Sequence, residues 1–387
     1  MSSCRAKGFR PFCRFIGGVP SISLTKKQTG PVVGLDIEAG SIAATSVAAN
    51  GSLQVTGSAI GPLEPGAFHE GEVLDPDRLA AALKSLFAQH KLPKRVRLGI
   101  GNQRLVVRML RLPAIENPKE MEAAIRFQAQ EQVPMPLDQA VLEHQVVGGV
   151  PAEEGGAAQV DVVVVAARRE MVSSFIEPIR RAGLEPIGVD LAAFGMIRAL
   201  ASAGALSGDA AEPNGAENFD QRPADAVLYC SIGDIANLAV ARGRACLFTR
   251  ISNMGLGAMT AQLSSARDLS PEHTTQWLSY VGLETALEKL EGDEELVAEA
   301  RRTLKEGVVS LVDDLRLSLD YYGAQESSLP VERVVLCGPG SAIAGVPTQM
   351  EAGLGMPISV ARPTALGGFD ESVAARLTVP FGLALED

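Results

Sequence analysis

The stretch Val32–Ile60, VVGLDIEAGSIAATSVAANGSLQVTGSAI, decides how the rest of the chain is read. It predicts three short apolar strands joined by two tight turns, one at Glu38-Ala39-Gly40-Ser41 and one at Asn50-Gly51. Asn-Gly readily takes the positive φ angles of a hairpin. The plan returns at Ala226–Ile251, AVLYCSIGDIANLAVARGRACLFTRI, with a Gly-Asp turn and a Gly-centred turn at Arg242-Gly243-Arg244 between apolar strands. Two such units suggest an internally duplicated α/β protein. Two unrelated meanders are the alternative, since strands with Gly turns are common.

At 387 residues the chain is long enough for two or more domains, each with its own core. Hydrophobic residues make up 46% but aromatics only 4%, so the cores are expected to be Leu, Val, Ile and Ala packed between sheet and helices. A formal charge of −11 argues against a nucleic-acid binder, which needs a basic face. The first 30 residues run the other way, with Arg5, Lys7, Arg10, Arg14, Lys26 and Lys27 and no acid. They are expected to form a basic, disordered tail; contact with anionic lipid is the alternative. No apolar run of signal-peptide length follows these bases, and none later approaches the ~20 residues of a membrane span. Cys4, Cys13, Cys230, Cys246 and Cys337 are odd in number, widely spaced and without a CxxC pair, which fits a reduced compartment. His69, His90, His144 and His273 lack metal-ligand spacing.

Asp75-Pro76-Asp77 predicts a helix start, with an N-cap and a first-turn proline, and Leu79, Ala82, Leu83, Leu86 and Phe87 give that helix one apolar face. Val96–Ile100 follows as a buried strand. From Leu105 the pattern changes to strand, helix, strand, strand, helix. LVVRMLRLP alternates, Asn117-Pro118-Lys119-Glu120 caps a helix that Pro134 and Pro136 end, Ala140–Gly148 and Gln159–Ala167 are strands, and a helix runs from about Arg169 to Ala182. This reads as an inserted α+β unit over residues 105–182. The first lobe is then 31–104 plus 183–205, with 370–387 returning to it. Residues 206–225, rich in Gly, Ala, Asn, Asp and Pro, predict a flexible linker. The second lobe covers 226–369, with 251–305 as a charged helical subdomain whose acidic run Glu288–Glu299 is a solvated face. Val308, Leu311, Leu315, Leu319 and Tyr322 trace a long amphipathic helix before VVLCGPGS at Val334–Ser341.

LDIEAGSIAA, SIGDIANLAVARG and VVLCGPGS fall in the order of the two phosphate loops and the adenosine loop of the actin, Hsp70 and sugar-kinase superfamily. The insert VRMLRLPAIENPKEMEAAIRFQAQEQVPMPLDQAVLEHQVVG, followed by VVVVAARREMVSSFIEPIRRAGLEPIGVDLAAFGMIRAL, resembles the PilM family of cytoplasmic, actin-like type IV pilus assembly proteins. The resemblance covers nearly all of Val32–Asp387. It implies an α/β, actin-like (Hsp70/FtsA-type) two-lobed ATPase fold with an α+β, SHS2-like subdomain inserted in the first lobe. FtsA, the divisome relative, commonly ends in a basic amphipathic helix that TVPFGLALED does not resemble. The cytoplasmic region of GspL, from type II secretion, shares the architecture.

In the family the nucleotide lies between the two loops, held by backbone amides, with acids holding magnesium through water. By resemblance Asp36 is the first-loop acid, Ser41 a phosphate donor, Gly233 part of the second loop, and Gly338, Gly340 and Ser341 the adenosine loop. Six positions depart from the family's pattern. Glu38 stands where a Gly would admit phosphate, and Ala43 where a Lys would neutralise it. Ser231 replaces the magnesium-linked acid, Thr275 and Leu278 stand where Glu and Lys would meet the ribose, and Pro339 removes an amide donor. The expectation is a degenerate site: binding of ATP and Mg is left open, hydrolysis is not expected, and no residue is assigned a catalytic role.

The resemblance implies a cytoplasmic scaffold at the inner face of the membrane that binds the N-terminal peptide of a PilN-like bitopic protein in a groove beside the inserted subdomain, with pilus motor ATPases as further partners; the stretch between Leu105 and Gln145 is where the groove is sought, with no single contact residue assigned. An ATP-dependent kinase of the superfamily and an FtsA-like filament protein are the alternatives. The kinase needs an intact second loop, which Ser231 breaks; the filament protein predicts polymerisation.

Overall fold

The structure is a computed structural model that describes residues 30–49, 53–150, 158–201, 226–325 and 328–385. The basic tail, the Asn50-Gly51 turn and the linker at 206–225 lie outside the described residues.

Strands β1 (Val33–Glu38), β2 (Ser41–Ala49) and β3 (Leu53–Pro62) form an antiparallel meander, as the opening stretch predicts. A short hairpin, β4 (Phe68–His69) and β5 (Glu72–Val73), leads to α1 (Pro76–His90), where the Asp75 carboxylate accepts the amides of Asp77 and Arg78. β6 (Arg95–Ile100) then pairs parallel to β1.

The chain next builds a separate sheet from β7 (Val106–Pro113), α2 (Pro118–Gln132), β8 (Ala140–Val150) and β9 (Gln159–Arg168), in strand order β7-β9-β8. Its own core joins Leu110, Leu112, Ile125, Ala129, Val162 and Val164. The Asn117 side chain accepts the Lys119 amide and donates to Glu120, which starts α2 where the capping residues place it. Helix α3 (Arg169–Arg181) packs at the junction of the insert and the first sheet: its buried Val172, Phe175 and Ile179 share a core with Val163, Val165 and Ala167 of β9 and with the first sheet, against α1 and β10 (Glu185–Leu191). Its apolar face meets a larger apolar surface there, and Phe175 stacks edge-on to Phe68. β10 completes the first sheet in the order β3-β2-β1-β6-β10, followed by α4 (Ala192–Ala201).

The second half repeats this topology. β11 (Ala226–Ile232), β12 (Ala236–Arg242) and β13 (Ala245–Ser252) form a meander; then come α5 (Leu256–Arg267), α6 (Pro271–Val281) and the long α7 (Glu294–Gly323). β14 (Val331–Cys337), α8 (Val346–Leu354) and β15 (Ile358–Val360) close a sheet ordered β13-β12-β11-β14-β15. The two orders match strand for strand. That is the duplication which the repeated meander suggests.

Finally α9 (Glu371–Ala384) crosses back to the first lobe, on β1 and β2 and along α4. Every residue from Ala374 to Ala384 is buried, as are those of α4 from Ala192 to Leu200. A helix without a polar face is a core element. α4 and α9 therefore lie inside one apolar core that also takes in Tyr229, Ala239, Val335 and Cys337 of the second sheet. Cys246 and Cys337 behave as small hydrophobes there, and Cys230 does so in the second lobe's own core. Among the described residues no helix is long and apolar enough to cross a membrane, and no cluster of His, Cys, Asp and Glu could hold a metal ion.

Candidate functional site

Because the two meanders are related by the duplication, their first turns face each other between the lobes. In one turn Glu38 pairs in register with Ser41, and Gly40 takes φ +82°, open to glycine without strain. In the other, Gly233, Asp234 and Ile235 bridge β11 and β12, and α5 starts directly on them, with the Gly257 amide on the Asp234 carbonyl at 3.0 Å. The turns interlock. The Asp234 amide donates to the Glu38 carboxylate, and the Ala39 amide donates to the Asp234 carboxylate. Gly233 is what permits the approach, since a Cβ there would overlap the Glu38 carboxylate.

A third element completes the cluster. Arg376 of α9 is only 6% exposed and forms an ion pair with Asp36 through Nη1. Its Nε lies 3.1 Å from Ser41 Oγ and 3.4 Å from Glu38 Oε2, and its Nη2 lies 3.3 Å from the carbonyl oxygens of both Asp36 and Ser41. Every guanidinium edge is in use. Burial pushes the Glu38 carboxyl up to about 7; Asp36 and Asp234 add to the rise, while Arg376 and the Asp234 amide oppose it. Burial likewise raises Asp234. For Arg376 burial works downward, but Glu38 and Asp36 outweigh it and the pKa rises.

A carboxyl whose folded pKa is raised stabilises the fold at low pH and loses that contribution as pH climbs from its ordinary value, 4.5, to about 7. Between those values the folded chain holds a proton that the unfolded chain has released. A shift of this size corresponds to at most about 3 kcal/mol, the upper bound applying because 16% of the Glu38 side chain still meets solvent. Glu38→Gln is therefore expected to match the natural protein in urea midpoint at pH 4.5 and to exceed it progressively up to pH 7.5, with a constant difference beyond. Parallel curves across that range would remove Glu38 from the account.

The remaining predicted positions divide. Asp36, Glu38, Ser41 and Gly233 are brought together. Gly338 (φ +80°) and Gly340 lie on the far side of Ile232, where a Cβ on either would run into the Ile232 residue, so the loop is packed against the end of β11. Within it Pro339–Ala342 form a single 3-10 turn, in which Ser341 turns its hydroxyl back onto the Gly338 carbonyl at 2.7 Å. Ser231 is buried with its hydroxyl bonded to the Cys337 thiol, and Ala43 is a core residue of β2 opposite Asp36. Thr275 returns its hydroxyl to the Pro271 carbonyl, and Leu278 is fully inside the second core; neither joins the cluster.

Sequence reading missed Arg376 and passed over Asp234 as an ordinary turn residue. Arg376 did leave a signal. It is the one base in the otherwise uncharged run Ser372–Ala384, and a charge in an all-buried helix needs a buried partner. A second buried pair, Asp190 with Arg198, lies in the core beneath α9, where Arg198 Nε reaches the Gly382 carbonyl at 3.0 Å.

A cavity of about 350 Å³ opens at the root of the inserted sheet. Ile100, Gln103 and Leu105 line it from the chain entering β7, Leu191 from β10, and Asn237 and Arg250 from the second lobe.

The family of type IV pilus assembly protein PilM matches residues 34–380. A solved structure described as the PilM-PilN type IV pilus biogenesis complex is similar at 25% identity and a TM-score of 0.71, covering 91% of this chain and 97% of that one. Ethanolamine utilization protein EutJ from Carboxydothermus hydrogenoformans shares the fold at 12% identity and a TM-score of 0.52, over 92% of this chain and 89% of its own. The architecture is the actin-like, two-lobed α/β fold, and the match over residues 34–380 means that this chain belongs to the PilM family of type IV pilus assembly proteins.

Proposed function

We propose that this chain is a cytoplasmic scaffold of type IV pilus assembly that holds the N-terminal peptide of a PilN-like inner-membrane protein and does not turn over ATP. The observation that carries it is the similarity, along nearly the whole chain, to a protein solved as a complex with PilN. An extended peptide needs a groove with a few apolar anchors. The cavity at the root of the inserted sheet presents the half-buried Leu105 over the buried Ile100 and Leu191, and we place the peptide's entry there. The scaffold then sits at the inner face of the cytoplasmic membrane through its partner, with pilus motor ATPases as further contacts.

The nucleotide cradle is read as degenerate. Asp36, the only matching first-loop acid, is committed to Arg376; the Glu38 carboxylate stands between the turns; and turn amides that would hold phosphate are given to side chains of this protein. A triphosphate would meet two carboxylates before it met a free donor. A kinase reading would need an uncommitted carboxylate in the cleft, and Asp36, Glu38 and Asp234 are all engaged.

The test is calorimetric titration of the whole chain with a synthetic peptide of the PilN-like N-terminus, with and without ATP and Mg. Micromolar binding that is indifferent to ATP, and at least about tenfold weaker in Leu105→Arg, is expected. No binding by a folded protein overturns the reading.

A further inference from the structure

The two facing turns are chemically complete without a ligand. Backbone amides at paired hairpin turns make an anion-binding concavity, and in a two-lobed protein the anion placed there ties one lobe to the other. Here each turn brings its own anion. Glu38 of the first lobe accepts the Asp234 amide of the second, and Asp234 accepts the Ala39 amide of the first. The exchange is reciprocal, so each lobe supplies one carboxylate and one amide.

The surroundings are built for this arrangement. Gly233 leaves room for the Glu38 carboxylate, and Gly255 and Gly257 at the start of α5 leave room for the carbonyl and carboxylate of Asp234. A side chain at any of the three would displace the contact. Arg376 supplies positive charge from α9 to Asp36 and Glu38 together, where a separate cation would otherwise be needed. Two more contacts join the lobes nearby: Gln103 Nε2 donates to Asn253 Oδ1 at 3.0 Å, and Gly101 lies so close to the Asn237 amide group that a Cβ would come within 2.8 Å of it.

We propose that Glu38 and Asp234 form a built-in latch that holds the two lobes closed in place of a nucleotide, with Arg376 as its fixed countercharge. The proposal rests on the reading of the cradle as degenerate and adds to it: the cleft is shut by the chain itself, so closure needs no nucleotide and does not respond to one. The binding face for the partner peptide is then presented permanently.

The experiment measures the distance between spin labels on the two lobes in the full chain, at Gln89→Cys on α1 and Glu272→Cys on α6, both exposed, with Cys4 and Cys13 replaced by Ser. The probe is ATP with Mg at millimolar concentration, followed in parallel by calorimetry. The natural latch is expected to give one narrow distance, unchanged by ATP. Glu38→Ala and Asp234→Ala each remove one of the charged hydrogen bonds and are expected to raise the longer-distance population about tenfold or more. Glu38→Gln keeps an acceptor for the Asp234 amide and is expected to retain the short distance. Should Glu38→Ala fail to fold, Asp234→Ala decides, its folding checked by circular dichroism. Unchanged distances in the folded alanine variants, with no ATP binding, overturn the latch alone. ATP binding to the natural protein, with or without a change in distance, overturns the degenerate cradle and the latch with it.

Discussion

Replacing Arg376 by Leu is expected to lower the unfolding free energy at pH 7.5 by about 3–5 kcal/mol, the cost of leaving buried carboxylates without their partner. Asp36 is 7% exposed and loses its ion pair, Glu38 loses its own, and Ser41 loses a hydrogen bond, all with the same side chain. Leu fills most of the volume, so the loss measures charge rather than a cavity. Two comparisons separate this account from simple misfit. The loss is expected to shrink at pH 5, where Glu38 holds its proton in the folded chain. Adding Asp36→Asn to Arg376→Leu is expected to recover part of it, because the two changes act on one pair. Urea unfolding of the four proteins at both pH values provides the check. An equal loss at both pH values with no recovery in the double variant would mean that Arg376 acts by packing alone.

Gly382→Ala is expected to be comparably severe, at or beyond the ~3 kcal/mol upper end of overpacking costs. α9 and α4 touch backbone to backbone: a Cβ on Gly382 would overlap the Gly195 carbonyl oxygen, and one on Gly34 of β1 would overlap the Pro380 carbonyl oxygen. Carbonyl oxygens of packed elements have no rotamer by which to move aside. The end of α9 is also pinned, with Arg97 donating to the carbonyls of Leu383 and Leu385 at 2.9 and 2.6 Å and Arg198 to that of Gly382. Cationic groups at a helix C-terminus complement its dipole, so the helix resists the shift that would relieve the clash. Gly368→Ala, with nothing within 4 Å of the added methyl, is the control and is expected to stay within about 0.5 kcal/mol of the natural protein. Thermal melts of the three proteins decide it; a neutral Gly382→Ala would show that α4 and α9 pack with slack.

Both substitutions concern a helix that sequence reading treated only as a returning segment. The strands were legible because alternation and glycine turns act over a few residues: Glu38-Ala39-Gly40-Ser41 is a turn whatever lies beyond it. Asp75 and Asn117 were legible as caps for the same reason, since each satisfies amides two or three residues away. That α3 bridges the insert and the first sheet was not legible, because an amphipathic helix shows that it has an apolar face but not which nearby apolar surfaces the face meets.

The site was legible by halves. The duplicated meander and the inserted α+β unit can be read along the chain, because each is written in neighbouring residues and in their order, and the acid at Glu38 stands out against the pattern of the resembled family. What that acid does depends on contacts between distant segments. Its partners are Asp234, on the facing turn of the other lobe, and Arg376, whose companion Asp36 is 340 residues away along the chain. An ion pair at that separation leaves no periodicity or spacing in the sequence. It exists because the duplication sets two turns face to face and because α9 carries the buried Arg376 back between them.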